Sequence, residues 1–98
     1  MNYFDYSPKE TSEAQKDIMI HQLLDNVSFS YGDLVKLAGD DNSPAMVVTE
    51  MRVQTTAVAM YKLERMFLEV ACKYYSKGKQ TFISERLPVM CLKKVVIN

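Results

Sequence analysis

The sequence predicts an α+β domain, mainly α: three or four helices around one long helix, followed by a C-terminal antiparallel β-hairpin. Three observations predict it. Val53, Ala57, Met60, Leu63, Phe67, Val70, Ala71 and Tyr74 recur at steps of three and four, with Lys62, Arg65, Glu69, Lys73 and Ser76 opposite them, the pattern of a helix with one buried face. Ser7-Pro8 and Ser43-Pro44 read as helix starts, with serine as the cap and proline in the first turn. After Gly78 the helical period is lost, and short β-rich runs follow.

The 98 residues form a single domain, 1–98, with 1–6 (MNYFDY) as a loose N-terminal arm or a staple on the first helix. That helix runs from Ser7-Pro8 to about Asn26; Glu10 supports a capping box, and Ile18, Ile20, Leu23, Leu24 and Val27 give an apolar face. His21 lies among them with no nucleophile or carboxylate motif beside it, which favours a helix-surface histidine over a general base. A short second helix spans about 31–38, capped by Ser30 and ended by Gly39. Asp40-Asp41-Asn42 is a turn; it lacks the alternating register and distal glutamate of a calcium loop.

The long helix then covers about 44–77. Its alternative is a break near 52–56, because Val47, Val48, Thr49, Val53, Thr55 and Thr56 are β-branched and also suit a strand. Met46, Val53, Met60, Phe67 and Tyr74 repeat every seven residues, and the later part of the repeat offers a seam for pairing two helices. Met60, Leu63, Phe67, Val70 and Tyr74 are therefore the predicted dimer or partner face of a homodimer. Lys73 and Lys77 fall in the last turn and Gly78 supplies the cap. Residues 80–84 and 89–97 are the strands of the hairpin, joined through 85–88.

Net charge is zero, but it is unevenly placed. Residues 1–51 carry nine acids and three lysines, net −6; residues 52–98 carry nine bases and three acids, net +6. Either the second half forms a basic face or the two halves neutralise each other in the fold. No apolar run approaches the ~20 residues of a membrane span, and the N-terminus lacks a secretory pattern, so the expected location is the cytoplasm of its own cell or of a host. Cys72 and Cys91 form no CxxC, and with one histidine they leave no metal set. Phosphate-cradling, dinucleotide, nucleophile-elbow and zinc-protease motifs are missing. The reading is a non-enzyme without cofactor.

Asp33-Leu34-Val35-Lys36-Leu37-Ala38-Gly39, then Ser43, Ala45 and Val48, resembles the helix-turn-helix pattern of bacterial and phage regulators. The element order, with a basic C-terminal hairpin, is similar to that of a winged helix-turn-helix. The resemblance implies a dimeric regulator that binds duplex DNA. On it, Arg52, Gln54 and Thr55 would lie on the recognition helix, and Lys77, Lys79, Arg86, Lys93 and Lys94 would hold phosphates from the wing. The rival expectation is a protein-binding inhibitor, adaptor or assembly factor of a phage or mobile element. It would use the acidic half and a methionine-rich helix face (Met46, Met51, Met60, Met66).

Overall fold

A computed structural model describes residues 2–58 and 62–96, and it is mostly β. In chain order the elements are β1 (Tyr3–Tyr6), α1 (Glu13–Asn26), β2 (Leu34–Leu37), β3 (Met46–Val58), β4 (Leu63–Ser76), β5 (Thr81–Pro88), a 3-10 turn (Val89–Cys91) and β6 (Leu92–Lys94). The six strands make one antiparallel sheet.

The mainly-α prediction is thus overturned, chiefly at 44–77. Residues 46–58 and 63–76 are two long strands paired in antiparallel register, from Val47 opposite Lys73 to Val58 opposite Leu63. The β-branched residues of 47–58 pack well on a pleated surface and poorly against a preceding helical turn. In β4 the even positions Met66, Leu68, Val70 and Cys72 are all buried, which is the period of two that a half-buried strand requires. One bulge interrupts β3 between Val48 and Glu50. It lets Met46 and Val48, then Met51 and Val53, all turn towards the same core.

The other elements change accordingly. The predicted helix at 31–38 is a turn at 31–32 followed by β2. With no helix over 33–39 or 44–56, the helix-turn-helix predicted there does not form. The N-terminal arm is strand β1, with Tyr3 opposite Phe67 and Tyr6 opposite Glu64. The first helix ends at Asn26 as read, but starts at Glu13. Ser12 caps it, accepting from the Gln15 N–H, while the Gln15 side chain accepts from the Ser12 N–H. That second capping box satisfies two otherwise orphaned donors, and Ser7-Pro8 opens only a turn, closed by Glu10 N–H to the Ser7 carbonyl.

The predicted hairpin between 80–84 and 89–97 is also replaced. β5 covers 81–88 and pairs with β4, whereas β6 pairs with β2; residue 97 lies outside the described residues. Pro88 and the 3-10 turn redirect the chain, and β6 joins the sheet on the far side of β2 from β3. Lys79 and Gln80 turn the β4–β5 corner, with Gln80 rather than Gly78 taking the left-handed conformation (φ 53°).

α1 covers one face of this sheet. Leu23, Phe29, Val35, Met46, Val48, Met66, Leu68, Val70, Cys72, Val89 and Leu92 form the core with Tyr6. Ser43 is the buried polar residue among the described residues; its hydroxyl accepts the Leu37 N–H and donates to the Pro44 carbonyl, so its burial leaves nothing unpaired. The molecule is long, 48 × 29 × 21 Å, because β3 and β4 run much of its length.

Candidate binding face

Directly opposite residues share a face of an antiparallel sheet, so the register assigns the paired side chains of β1, β3, β4 and β5. The face turned from α1 carries Tyr3 and Asp5 of β1. It also carries Glu50, Arg52 and Gln54 of β3, Leu63, Arg65, Phe67, Glu69, Lys73 and Tyr75 of β4, and Phe82, Ser84 and Arg86 of β5.

Its middle is a network of matched charges. Glu69 accepts from Arg52 Nε at 3.3 Å and Nη2 at 3.1 Å. The Arg86 guanidinium lies 3.8 Å from Glu69 and 3.6 Å from Glu50. Gln54, with its side-chain oxygen turned to Arg52, accepts from the same guanidinium at 2.8 and 3.0 Å. At one end Arg65 makes a two-pronged pair with Asp5, 2.7 and 3.0 Å, and stacks 4.2 Å above the Tyr3 ring. The hydrogen bonds from Arg65 hold the Asp5 carboxyl below its ordinary range.

The other end differs. Tyr75 and Phe82 face each other across β4 and β5, edge to face with ring centres 5.3 Å apart. They are 51% and 63% exposed, too open to be core residues. The Lys73 ammonium lies 5.3 Å from the Phe82 centroid, within cation–π range. Lys77 and Lys79 are exposed in the turn just beyond. All three arginines are in ion pairs, whereas Lys73, Lys77 and Lys79 form none among the described residues. Glu85 of β5 is on the helix side and accepts from the Tyr74 hydroxyl at 3.4 Å. This end therefore combines two stackable rings with three uncompensated positive charges.

The residues predicted for nucleic acid divide into four places. Arg52, Gln54 and Arg86 share the open face, where Glu69 and Glu50 occupy both arginines. Lys77 and Lys79 sit at the aromatic end. Lys93 and Lys94 are on β6, away from both. Lys94 is 3.5 Å from Asp33, whose carboxyl is lowered first by the Ser30 N–H and then by Lys94; Lys93 stands opposite Lys36. Thr55 is exposed on the helix side, beyond the cover of α1.

The predicted dimer seam is not one surface. Leu63 and Phe67 are half-buried on the open face, Val70 is wholly buried in the core, Tyr74 faces the helix side, and Met60 lies outside the described residues. Nor do the methionines make a groove: Met46 and Met66 are core residues. Sequence reading missed Lys73, Tyr75 and Phe82 as a unit. Their signal was the alternation of base and aromatic through KYYSKGKQTF, which acquires meaning only once residues 73 and 75 point the same way.

His21 is exposed on α1, its Nδ1 2.8 Å from the Asp17 carbonyl. Among the described residues no three of histidine, cysteine, aspartate and glutamate cluster for a metal, and no helix is long and apolar enough to cross a membrane. A 140 Å³ cavity under the end of α1, between Leu23, Phe29, Val89 and Met90, is lined without a titratable side chain. No family model, no curated protein and no solved structure matches the chain.

Proposed function

We propose that this protein is a non-catalytic nucleic-acid-binding module that takes unpaired strands on the open face of its sheet, at the β4–β5 end. One observation carries the reading: the exposed Tyr75–Phe82 pair lies beside Lys73, Lys77 and Lys79, the lysines of that end that meet no acid. Proteins that hold single strands combine aromatic platforms for the bases with cations that track the backbone. The exposed rings at the end of a sheet face suit splayed bases. Duplex readout fits less well, because the exposed surface of α1 carries Glu13, Asp17 and Asp25, which a phosphate-lined groove repels. The recognition is of backbone and ring faces, so it discriminates poorly between sequences. Such a module would work in the cytoplasm, of its own cell or of a host.

The test is fluorescence anisotropy with a labelled oligothymidine of about 15 nucleotides and a matching duplex, at ~50 mM salt, where phosphate contacts are strong. Single strands should bind more tightly than the duplex, and Tyr75→Ala or Phe82→Ala should each cost about 1–3 kcal/mol of affinity. Absence of binding to both probes, or tighter duplex binding that ignores the two substitutions, removes the reading.

A further inference from the structure

Between Met51 and Val58 one side of β3 has no strand partner among the described residues. β4 occupies its other side over the whole stretch, and β2 reaches only Met46 and Val47. The polarity of this edge can be read. The Tyr31 hydroxyl meets the Met51 carbonyl, at 3.5 Å, from the open side, and backbone groups alternate in direction along a strand. Val53, Thr55 and Ala57 therefore present N–H and C=O groups outwards. Thr55, Thr56 and Ala57 are exposed.

Edges of this kind attract other strands, and folded proteins ordinarily blunt them with proline, lysine or a local bulge. The outer edge of β5 carries Glu85, Arg86 and Pro88, and β1 is four residues long. The free part of β3 has neither proline nor lysine, and its bulge lies before it, at Val48. Its one charge, Arg52, is drawn onto the open face by Glu69.

We propose that a second copy of this chain covers this edge, β3 against β3, antiparallel about a two-fold axis at Thr55. In that register Thr55 faces Thr55, Val53 faces Ala57, Gln54 faces Thr56 and Arg52 faces Val58. The two arginines stay apart, and no like charges oppose each other. The outward groups of Val53, Thr55 and Ala57 then exchange about six backbone hydrogen bonds, two per hydrogen-bonded pair. The same register keeps helix-side residues beside helix-side residues, so the two open faces become one continuous face. A second copy fits better than a foreign strand because one two-fold contact closes both exposed edges together. This pairing does not depend on what the β4–β5 end binds.

Mass by sedimentation or light scattering, without nucleic acid, tests it over about 10–500 μM protein, since association follows concentration. The wild type should move from 11.3 kDa towards twice that mass. Thr55→Pro removes one outward N–H at a site with extended backbone and should stay monomeric throughout. Thr55→Lys, which places two ammonium groups together on the axis, should do the same while keeping the far-UV spectrum of the wild type. If Thr55→Pro fails to fold, Thr55→Lys alone decides. A wild type that remains 11.3 kDa at the highest concentration overturns the proposal, and so does a dimer that survives Thr55→Lys.

Discussion

Replacing Glu69 by glutamine separates what the open face contributes to stability from what it contributes to binding. The Glu69 side chain is 20% exposed, and those of Arg52 and Arg86 are 44% and 47% exposed. Well-buried hydrogen bonds to charged groups contribute about 1.5–3 kcal/mol, and exposed ion pairs about 0.2–1 kcal/mol. A cluster with one sheltered acid and two half-open bases, screened by solvent, falls between at about 1 kcal/mol. In a domain of this size a loss of ~1 kcal/mol lowers Tm by about 4–8 °C. Binding should move the other way. Three phosphate contacts from Lys73, Lys77 and Lys79 predict a slope of log K against log salt of about −2 for single strands, and releasing Arg52 steepens it to about −3. Calorimetry gives the first quantity, and anisotropy titrations across salt give the second. If Glu69→Gln melts with the wild type and leaves the slope alone, the arginines are not restrained by Glu69. The contrast between a neutralised middle and a cationic end then collapses.

Other substitutions test the assignment of faces and groups. Leu68→Ala, at a site 1% exposed, should cost about 3 kcal/mol in denaturant unfolding, whereas Tyr75→Ala should cost under about 1 kcal/mol; equal costs would mean the face assignment is wrong. Desolvation, and then the hydrogen bond to Glu64 at 2.8 Å, push the Tyr6 phenol from 10.0 up to about 12. Below pH 10 both folded and unfolded chains keep that proton; from 10 to about 12 only the fold keeps it. Stability should therefore drop over that window by at most about 2 kcal/mol relative to Tyr6→Phe, and identical alkaline profiles would refute this. In native protein iodoacetamide should modify exposed Cys91 and spare Cys72, which is buried and whose thiol is pushed up by desolvation; mass spectrometry showing both modified would show that the core opens readily.

The end of α1, its apolar core contact at Leu23 and the change to a strand after Gly78 are legible in the sequence. The identity of 44–77 is not, and the reason is arithmetic. Arg65, Glu69 and Lys73 are spaced by four, a step that keeps residues together on a helix and also on a strand. Leu63, Phe67 and Ala71 on the open face are apolar as well, which masks the alternation of Met66, Leu68, Val70 and Cys72 behind them. The seven-residue repeat had no helical meaning, since seven is odd and carries a strand from one face to the other. Phe67 and Tyr74 accordingly lie on opposite faces, and the bulge after Val48 adds another shift. The β-branched density of 47–58 was the sounder signal, because it reports fit to a pleated surface. At the amino end two capping boxes competed, and the one whose glutamine reaches back to its cap prevailed.

The charge asymmetry between the halves of the chain follows from the same register. Asp5 pairs with Arg65, Asp33 with Lys94 and Glu50 with Arg86, each an acid of the first half with a base of the second. These pairs form because β1, β2 and β3 from the first half lie beside strands of the second. The overlap has an end. β3 meets β4 no further along than Val47 opposite Lys73, and residues 74–76 pair with β5 alone. Beyond that point the hairpin is built wholly from the basic half, and strands of the acidic half do not extend alongside it. Lys77 and Lys79 are therefore left uncompensated by topology, with Lys73 at the boundary and Tyr75 and Phe82 between them. The proposed binding end is where the second half outruns the first, and it would shrink if β3 were lengthened at its Met46 end by an acidic, strand-forming insertion.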